Sequence, residues 1–457
     1  MAGRTSRKAG GTQVAFGLDF GTTNTSLARA ACLPGEAASV AFASYPARAG
    51  ATTSFRSLLY LEQGAERGSG PEPARVRSWA GPAAIERYLE HAEQGEGRAR
   101  LIQSLKSYLT SRSLTGTEIF GRHYLLEDLI SRILREVREG AERQFGAPVE
   151  HVVVGRPVRF VGQEKEDDAP FALARLTRAC ELAGFASVEF EYEPVAAAYA
   201  YESTLDHDEL LLIGDFGGGT SDFSLMRAGP GVRRGGDTGR VLLGTSGVAL
   251  AGDAFDAKLV RKLVSPALGA DSLARSMGSK VLPAVPAWIY ANLERWHYLS
   301  FLRTRNVLEI LNGARVRALE PEKIEALLTL IDEDLGYQLH QAVQRAKYTL
   351  SHEESAEFAF RDGSMDLRIQ VTRAQFEGWI AEELRAIEES IDSLLAQACV
   401  DAREVDRVFL TGGSSFVPAV QRIFSSRFGG ADSGRVCTGD AFTSVAHGLA
   451  LRGLVHS

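Results

Sequence analysis

Two stretches of this chain share one pattern, and that repeat limits the fold more than any other feature. "GLDFGTTNTSL" at 17–27 and "GDFGGGTSDFSL" at 214–225 each run from apolar residues through one Asp to small residues and back to an apolar run. Each reads as strand, tight turn, strand, with glycine giving the backbone freedom the bend needs. A hairpin that recurs almost two hundred residues later predicts a duplicated domain. A chain of 457 residues is also longer than the roughly 250–300 at which a single core stops growing.

The segments between and after the hairpins alternate strand and helix patterns. "HVVVGRP" at 151–157 is a buried strand stopped by Pro157, and 171–185 is a helix with Gly184 near its end. "SVEFEYEPVAAAYAYE" turns from strand to helix, with Pro194 at the helix start. Residues 127–146 form an amphipathic helix ending near Gly146, and helical patterns are expected around 80–93 and 98–111. Residues 62–74 read as an exposed Gly-, Pro- and charge-rich loop, and about 256–352 as mostly helical. "EVDRVFLTGGSSFVPAVQRIFSSRF" at 404–428 is strand, glycine loop, helix, and "AFTSVAHGLALRGL" closes the chain as a helix. This alternation predicts an α/β protein.

The net charge of −7 lacks the basic excess of a protein held to nucleic acid by phosphate contacts, but leaves room for a local nucleotide site. Cys32, Cys180, Cys399 and Cys437 form no CxxC pair, which fits buried apolar thiols in a reducing cytosol better than metal binding. No stretch approaches 18 apolar residues, and no apolar core follows the basic residues of the 1–12 tail, which is expected to be disordered. No membrane association is expected.

The chemistry of the hairpins suits a polyphosphate with Mg²⁺. Small residues let main-chain N–H groups approach phosphate oxygens. Gly217, Gly218 and Gly219 meet that need, as do Gly21, Thr22 and Thr23. Asp19 and Asp215 precede the turns and Asp222 follows the second, so all three can hold a hydrated Mg²⁺ through its waters. A single Gly-rich turn is weak support in a chain with 46 glycines; the ordered set of two hairpins, a third Gly-Gly loop and a closing helix is strong.

These segments, with "EYEPVAAAYAYE", "LAGDAFDAKL", "FLTGGSSFVPAVQRIF" and "VTRAQFEGWIAEEL", resemble the nucleotide-binding domain of the DnaK-type heat-shock-70 chaperones, of the actin and hexokinase superfamily. The motifs keep family order from residue 16 to about 450. "GDAFTSVAHGLA" and "ANLERWHYLSFL" are most similar to the short bacterial members of the YegD type. The resemblance implies a two-lobed fold with duplicated ribonuclease-H-like domains and ATP or ADP with Mg²⁺ in the cleft. Lobe I would be 13–206 plus 440–457, with a subdomain at about 41–122; lobe II would be 207–439, with a helical subdomain at about 256–368.

Site roles follow from the resemblance. Asp19, Asp215 and Asp222 match the carboxylates around the metal; Gly21, Thr22, Thr23 and Asn24 match the first phosphate loop and Gly217 to Thr220 the second. Lys106 matches the lysine that positions the attacking water, Glu193 the glutamate beside it, and Thr220 a neighbour of the γ-phosphate. Taken alone, Lys106 would be a solvated helix charge and Glu193 a helix N-terminal acid. Gly252, Gln344, Lys347 and Ser351 match adenosine contacts; Gly412, Gly413, Ser414 and Phe416 match the base pocket. Gln344 stands where the family commonly has Glu, and Phe416 where it commonly has an Arg stacked on adenine; Phe416 could equally be a core residue. Family chaperones continue past the closing helix into a linker and a peptide-binding domain, whereas this sequence stops at "LRGLVHS", so no such module is expected. The implied function is that of a Mg²⁺-dependent ATPase, chaperone-like and read by a partner protein. The alternatives are a small-molecule kinase on the same fold and a nucleotide-sensing or filament-forming scaffold with little turnover.

Overall fold

The structure is a computed structural model that describes residues 12–33, 36–48, 50–63, 76–94, 98–202, 205–235, 242–275, 281–295, 302–333, 335–362, 365–429, 434–438 and 444–455. The 1–11 tail, most of the loop expected over 62–74, and residues 296–301 and 439–443 of two quoted segments lie outside the described residues. The chain divides into two compact units, residues 1–249 with 390–415 and 424–457, and residues 250–389 with 416–423.

The first unit holds two sheets built alike. In one, β1 (Gln13–Phe20), β2 (Asn24–Cys32), β3 (Ser39–Phe42), β4 (His151–Arg156) and β5 (Ser187–Tyr192) lie in the order β3-β2-β1-β4-β5, and Phe55–Arg56 also pairs with β2. In the other, β6 (Glu209–Phe216), β7 (Ser221–Ala228), β8 (Leu242–Val248), β9 (Arg407–Thr411) and β10 (Val436–Thr438) lie in the order β8-β7-β6-β9-β10. Each begins with three antiparallel strands, then adds two strands parallel to the first. Parallel additions need crossovers, and helices α1 (Leu126–Phe145), α2 (Asp168–Ala183) and α3 (Glu193–Glu202) provide the helical layers beside the first sheet. All eight residues of β6 are buried, which explains the apolar run "LLLIG" between its two acids, Glu209 and Asp215.

One core joins these layers. Val195, Ala196, Ala197 and Ala198 of α3 pack with Val153, with Leu211, Ile213 and Met226 of the second sheet, and with Val445 and Leu449 of the closing helix Ser444–Val455. The alanines allow close approach: a Cβ on Gly448 would stand 1.6 Å from the Ala196 carbonyl oxygen.

One expected element is different. Residues 98–111 do not form a helix; Arg98–Gln103 is a strand paired antiparallel with Leu58–Gln63, which also pairs with Val76–Ala80. Ser104 then takes a left-handed conformation, φ 56°, and Leu105–Tyr108 forms a short 3-10 turn that carries Lys106 inward.

The second unit is mostly helical, with helices Gly252–Leu259, Arg305–Arg317, Pro321–Asp332 and Gly336–His352. It also contains the hairpin Ser355–Asp362 with Met365–Thr372, whose first strand alternates exposed and buried residues in register with a half-buried ladder.

Candidate functional site

The site in the first unit is built on the tips of the two matching hairpins. Gly21 N–H donates to the Asn24 carbonyl and Gly217 N–H to the Thr220 carbonyl, both at 3.0 Å, so the turns close in the same way. Gly21 is required there, because a Cβ would stand 2.3 Å from the Asn24 oxygen. The first turn is braced from behind: Ser57 N–H donates to the Thr23 carbonyl at 2.9 Å, and the Arg56 guanidinium to Asn24 Oδ1 at 3.3 Å. The two turns approach each other. A Cβ on Gly219 would lie 3.5 Å from Thr22 Oγ1, 3.8 Å from Ser107 Oγ and 2.8 Å from Val161 Cγ2. Gly218 and Thr220 complete the second tip, partly exposed.

Behind the tips lies a buried ionic cluster. Lys106 Nζ is 2.6 Å from Glu193 Oε1, and both side chains are less than a tenth exposed. Glu193 is the first residue of α3, and the 3-10 turn brings Lys106 to it. Asp19, Asp215 and Asp222 share this environment. Burial would push Lys106 down, but Glu193, Asp19 and Asp222 outweigh it and hold the ammonium above its ordinary range. Burial pushes Asp19 well above the usual carboxylate range, with Glu193 and Asp215 adding to it and Lys106 opposing. Asp215 rises to about 6 through burial and the Glu193 charge, against a hydrogen bond from Thr411 and the Lys106 charge. Asp222 rises to about 8, mainly by burial and then by Glu193. One lysine is thus set against four acids, and a bound cation would oppose these upward shifts and favour the charged carboxylates.

The donor set fits a hydrated divalent ion. Asp222 Oδ1 accepts from the backbone N–H of Val158 at 2.8 Å and of Arg159 at 3.2 Å, while Asp222 Oδ2 is buried without a hydrogen-bond partner. A buried carboxylate oxygen left unsatisfied is costly, and a water ligand of a cation would satisfy it. Among the described residues no three His, Cys, Asp or Glu side chains converge as direct metal ligands.

The third glycine loop follows β9. Gly412 has φ 85° and sits against the end of β6, where a Cβ would stand 2.0 Å from the Phe216 carbonyl oxygen. Gly413 has open space around its missing side chain, and Ser414 is buried.

In the second unit, Gly252, Lys347 and Ser351 come together. Lys347 Nζ donates to the Gly252 carbonyl at 3.3 Å and pairs with buried Asp256 at 2.7 Å; Ser351 Oγ donates to the Lys347 carbonyl at 3.0 Å. Gln344, partly buried, precedes Lys347 by three residues on the same helix and so shares its face. Phe416 is 40% exposed rather than part of a core.

The sequence reading missed Thr411, Asp256 and the Val158–Arg159 amides. Amides carry no side-chain signature, and Thr411 gains its meaning from strand register alone.

These hairpins and their ionic cluster stand in an α/β protein built on two sheets of the same strand order. The family model described as "Hsp70 protein" matches residues 99–276 and 327–457, more than half of the sequence, and the chain belongs to this family. It is similar to a "Chaperone protein dnaK" of Guillardia theta, 24% identical over 303 residues that cover 66% of this chain and 38% of that protein. It is also similar to a "Heat shock 70 kDa protein" of Trichophyton rubrum, 25% identical over 341 residues that cover 74% and 41%. The chain spans about two fifths of the length of these relatives.

Proposed function

We propose that the protein binds ATP with Mg²⁺ and hydrolyses it slowly as a chaperone-like factor. The single observation that carries this reading is the convergence of the two glycine turns in front of the Lys106–Glu193 pair. In this reading the turn N–H groups of 21–24 and 217–220 take the phosphate oxygens. Asp19, Asp215 and Asp222 would hold a hydrated magnesium ion, which would supply charge stabilisation to the transferred phosphoryl group. Lys106 orients the attacking water and Glu193 receives its proton as the oxygen bonds to the γ-phosphorus and the bond to the leaving oxygen breaks. Thr220 flanks the γ-phosphate. For the nucleoside we propose Gly252, Gln344, Lys347, Ser351 and Phe416, with Gly412, Gly413 and Ser414 near the base.

We further propose that the two sheets are the cores of duplicated ribonuclease-H-like lobes, 13–206 with 440–457 and 207–439. Their common strand order and directions support this. Subdomains at about 41–122 and 256–368, the YegD-type placement, a cytoplasmic setting and a protein partner belong to the same reading. The four cysteines are all free, in keeping with a reducing compartment, but only Cys180 is the buried thiol expected; Cys399 is exposed and Cys32 and Cys437 are partly so. Among the described residues no helix is long and apolar enough to cross a membrane.

Calorimetry of ATP and ADP with Mg²⁺, followed by a phosphate-release assay, tests the proposal. Expected are Mg²⁺-dependent nucleotide binding and release of phosphate without any added acceptor, both strongly weakened in Asp215→Asn. Transfer to a metabolite instead would make the protein a kinase, and wild-type turnover in D215N would remove the metal assignment.

A further inference from the structure

Strand register places three polar side chains in one row across the second sheet. Asp215 is paired directly with Asp222 in the antiparallel ladder of β6 and β7, and with Thr411 in the parallel ladder of β6 and β9. Directly opposed residues share a face of the sheet, and opposed like charges repel. Here each carboxylate is drawn to a donor on a different side. Thr411 Oγ1 donates to Asp215 Oδ1 at 2.6 Å in a fully buried contact. Asp222 Oδ1 is held on the other side by the Val158 and Arg159 amides. Next to Asp222, Gly247 leaves open the space where a Cβ would stand 2.6 Å from Asp222 Oδ1. The apolar isostere valine would suit the volume and burial of position 411 but could not donate. The hydroxyl therefore has a role in aiming the acid beyond filling the core.

We propose that Thr411 is a positioning residue of the nucleotide site, its hydroxyl holding the Asp215 carboxylate apart from Asp222 and turned to receive the water ligands of a divalent cation on a bound polyphosphate. This rests on the Mg²⁺–nucleotide reading given above. In this reading Thr411 acts through Asp215, to which its hydroxyl donates, rather than by direct contact with nucleotide or metal.

The test is calorimetric affinity for ADP, measured with excess Mg²⁺ and with chelator, in the wild type, Thr411→Val and Thr411→Ser. Thr411→Val should bind ADP in chelator as the wild type does, but lose ~10-fold or more of the tightening that Mg²⁺ produces, as expected for a hydrogen bond to a charged group. Thr411→Ser, which keeps the donor, should restore that tightening to within about threefold. Full Mg²⁺ tightening in T411V, or equal loss in T411S and T411V, would overturn the inference and make Thr411 a packing residue. If T411V does not fold, T411A read against T411S carries the same comparison. A wild-type protein that binds no nucleotide with or without Mg²⁺ would overturn the nucleotide reading itself, an outcome distinct from a wild type and T411V that tighten alike.

Discussion

Lys106 is set against three buried acids, Glu193, Asp215 and Asp222, and the partly exposed Asp19, and the consequences appear at the scale of single residues. Removing it leaves Glu193 buried without its 2.6 Å partner. Breaking a buried pair from one side typically costs about 3–5 kcal/mol, so Lys106→Ala should lower the urea midpoint clearly at neutral pH. If its place beside Glu193 has the proposed meaning, K106A will still bind Mg²⁺–ATP yet lose phosphate release; failure to bind would contradict the role given to it. Asp222 makes a pH prediction. Its folded value of about 8 lies above that of an unfolded aspartate, about 3.9. Between these limits the folded state keeps a proton that the unfolded state has lost, so stability falls as pH rises and levels off above about 8. Asn at 222 has no such proton. In chelator, the stability of Asp222→Asn relative to the wild type should therefore climb from about pH 4 to about pH 8. A constant difference across urea melts in that range would show that Asp222 is not held protonated. The aspartates themselves were legible in the sequence, since each sits beside a glycine turn. Their mutual repulsion was not, because Asp215 faces Asp222 only through the register of two strands.

Elements with a strong pattern were read correctly and those with a mixed one were not. The twin hairpins, the helix ending at Gly146, the strand stopped by Pro157 and the strand-to-helix switch at Pro194 all follow from local sequence. The stretch 98–111 failed because "RARLIQSLKSYL" has apolar residues at both helical and strand spacing. Pairing with Leu58–Gln63 buries Leu101 and Ile102 in a sheet, and this tertiary contact decides the outcome. Sequence also gave no sign of how closely the closing helix lies on α3. With only 1.6 Å between a Cβ at 448 and the Ala196 oxygen, Gly448→Ala must force two helices apart. Overpacking of this kind costs about 1–3 kcal/mol, and more where backbone cannot yield. Gly413→Ala is the matching control, with nothing within 4 Å of the added carbon. Thermal melts should show G448A several degrees below the wild type and G413A close to it; equal melting of the two would mean that the helix contact is loose.

For the molecule as a whole, the assigned roles divide between its two units. The acids, Lys106, Glu193 and both glycine turns belong to the first; Gly252, Gln344, Lys347, Ser351 and Phe416 belong to the second. If the proposed roles are right, recognition of phosphate and of base are separable by chemistry. Magnesium tripolyphosphate carries the anion without the nucleoside and needs only the first set. Phe416, 40% exposed, offers a ring face on which a base can stack, with a contribution of about 1–3 kcal/mol per base. Phe416→Ala should then weaken ATP binding by roughly 5- to 150-fold while leaving the affinity for magnesium tripolyphosphate unchanged, both read by calorimetry. A phenyl ring without the cation of an arginine also discriminates poorly among bases, because every base has a face to stack. GTP should therefore compete with ATP more closely than a charged base contact would allow. Equal loss for both ligands in F416A would point to a damaged fold, and unchanged ATP affinity would reduce Phe416 to a surface residue whose ring meets no base.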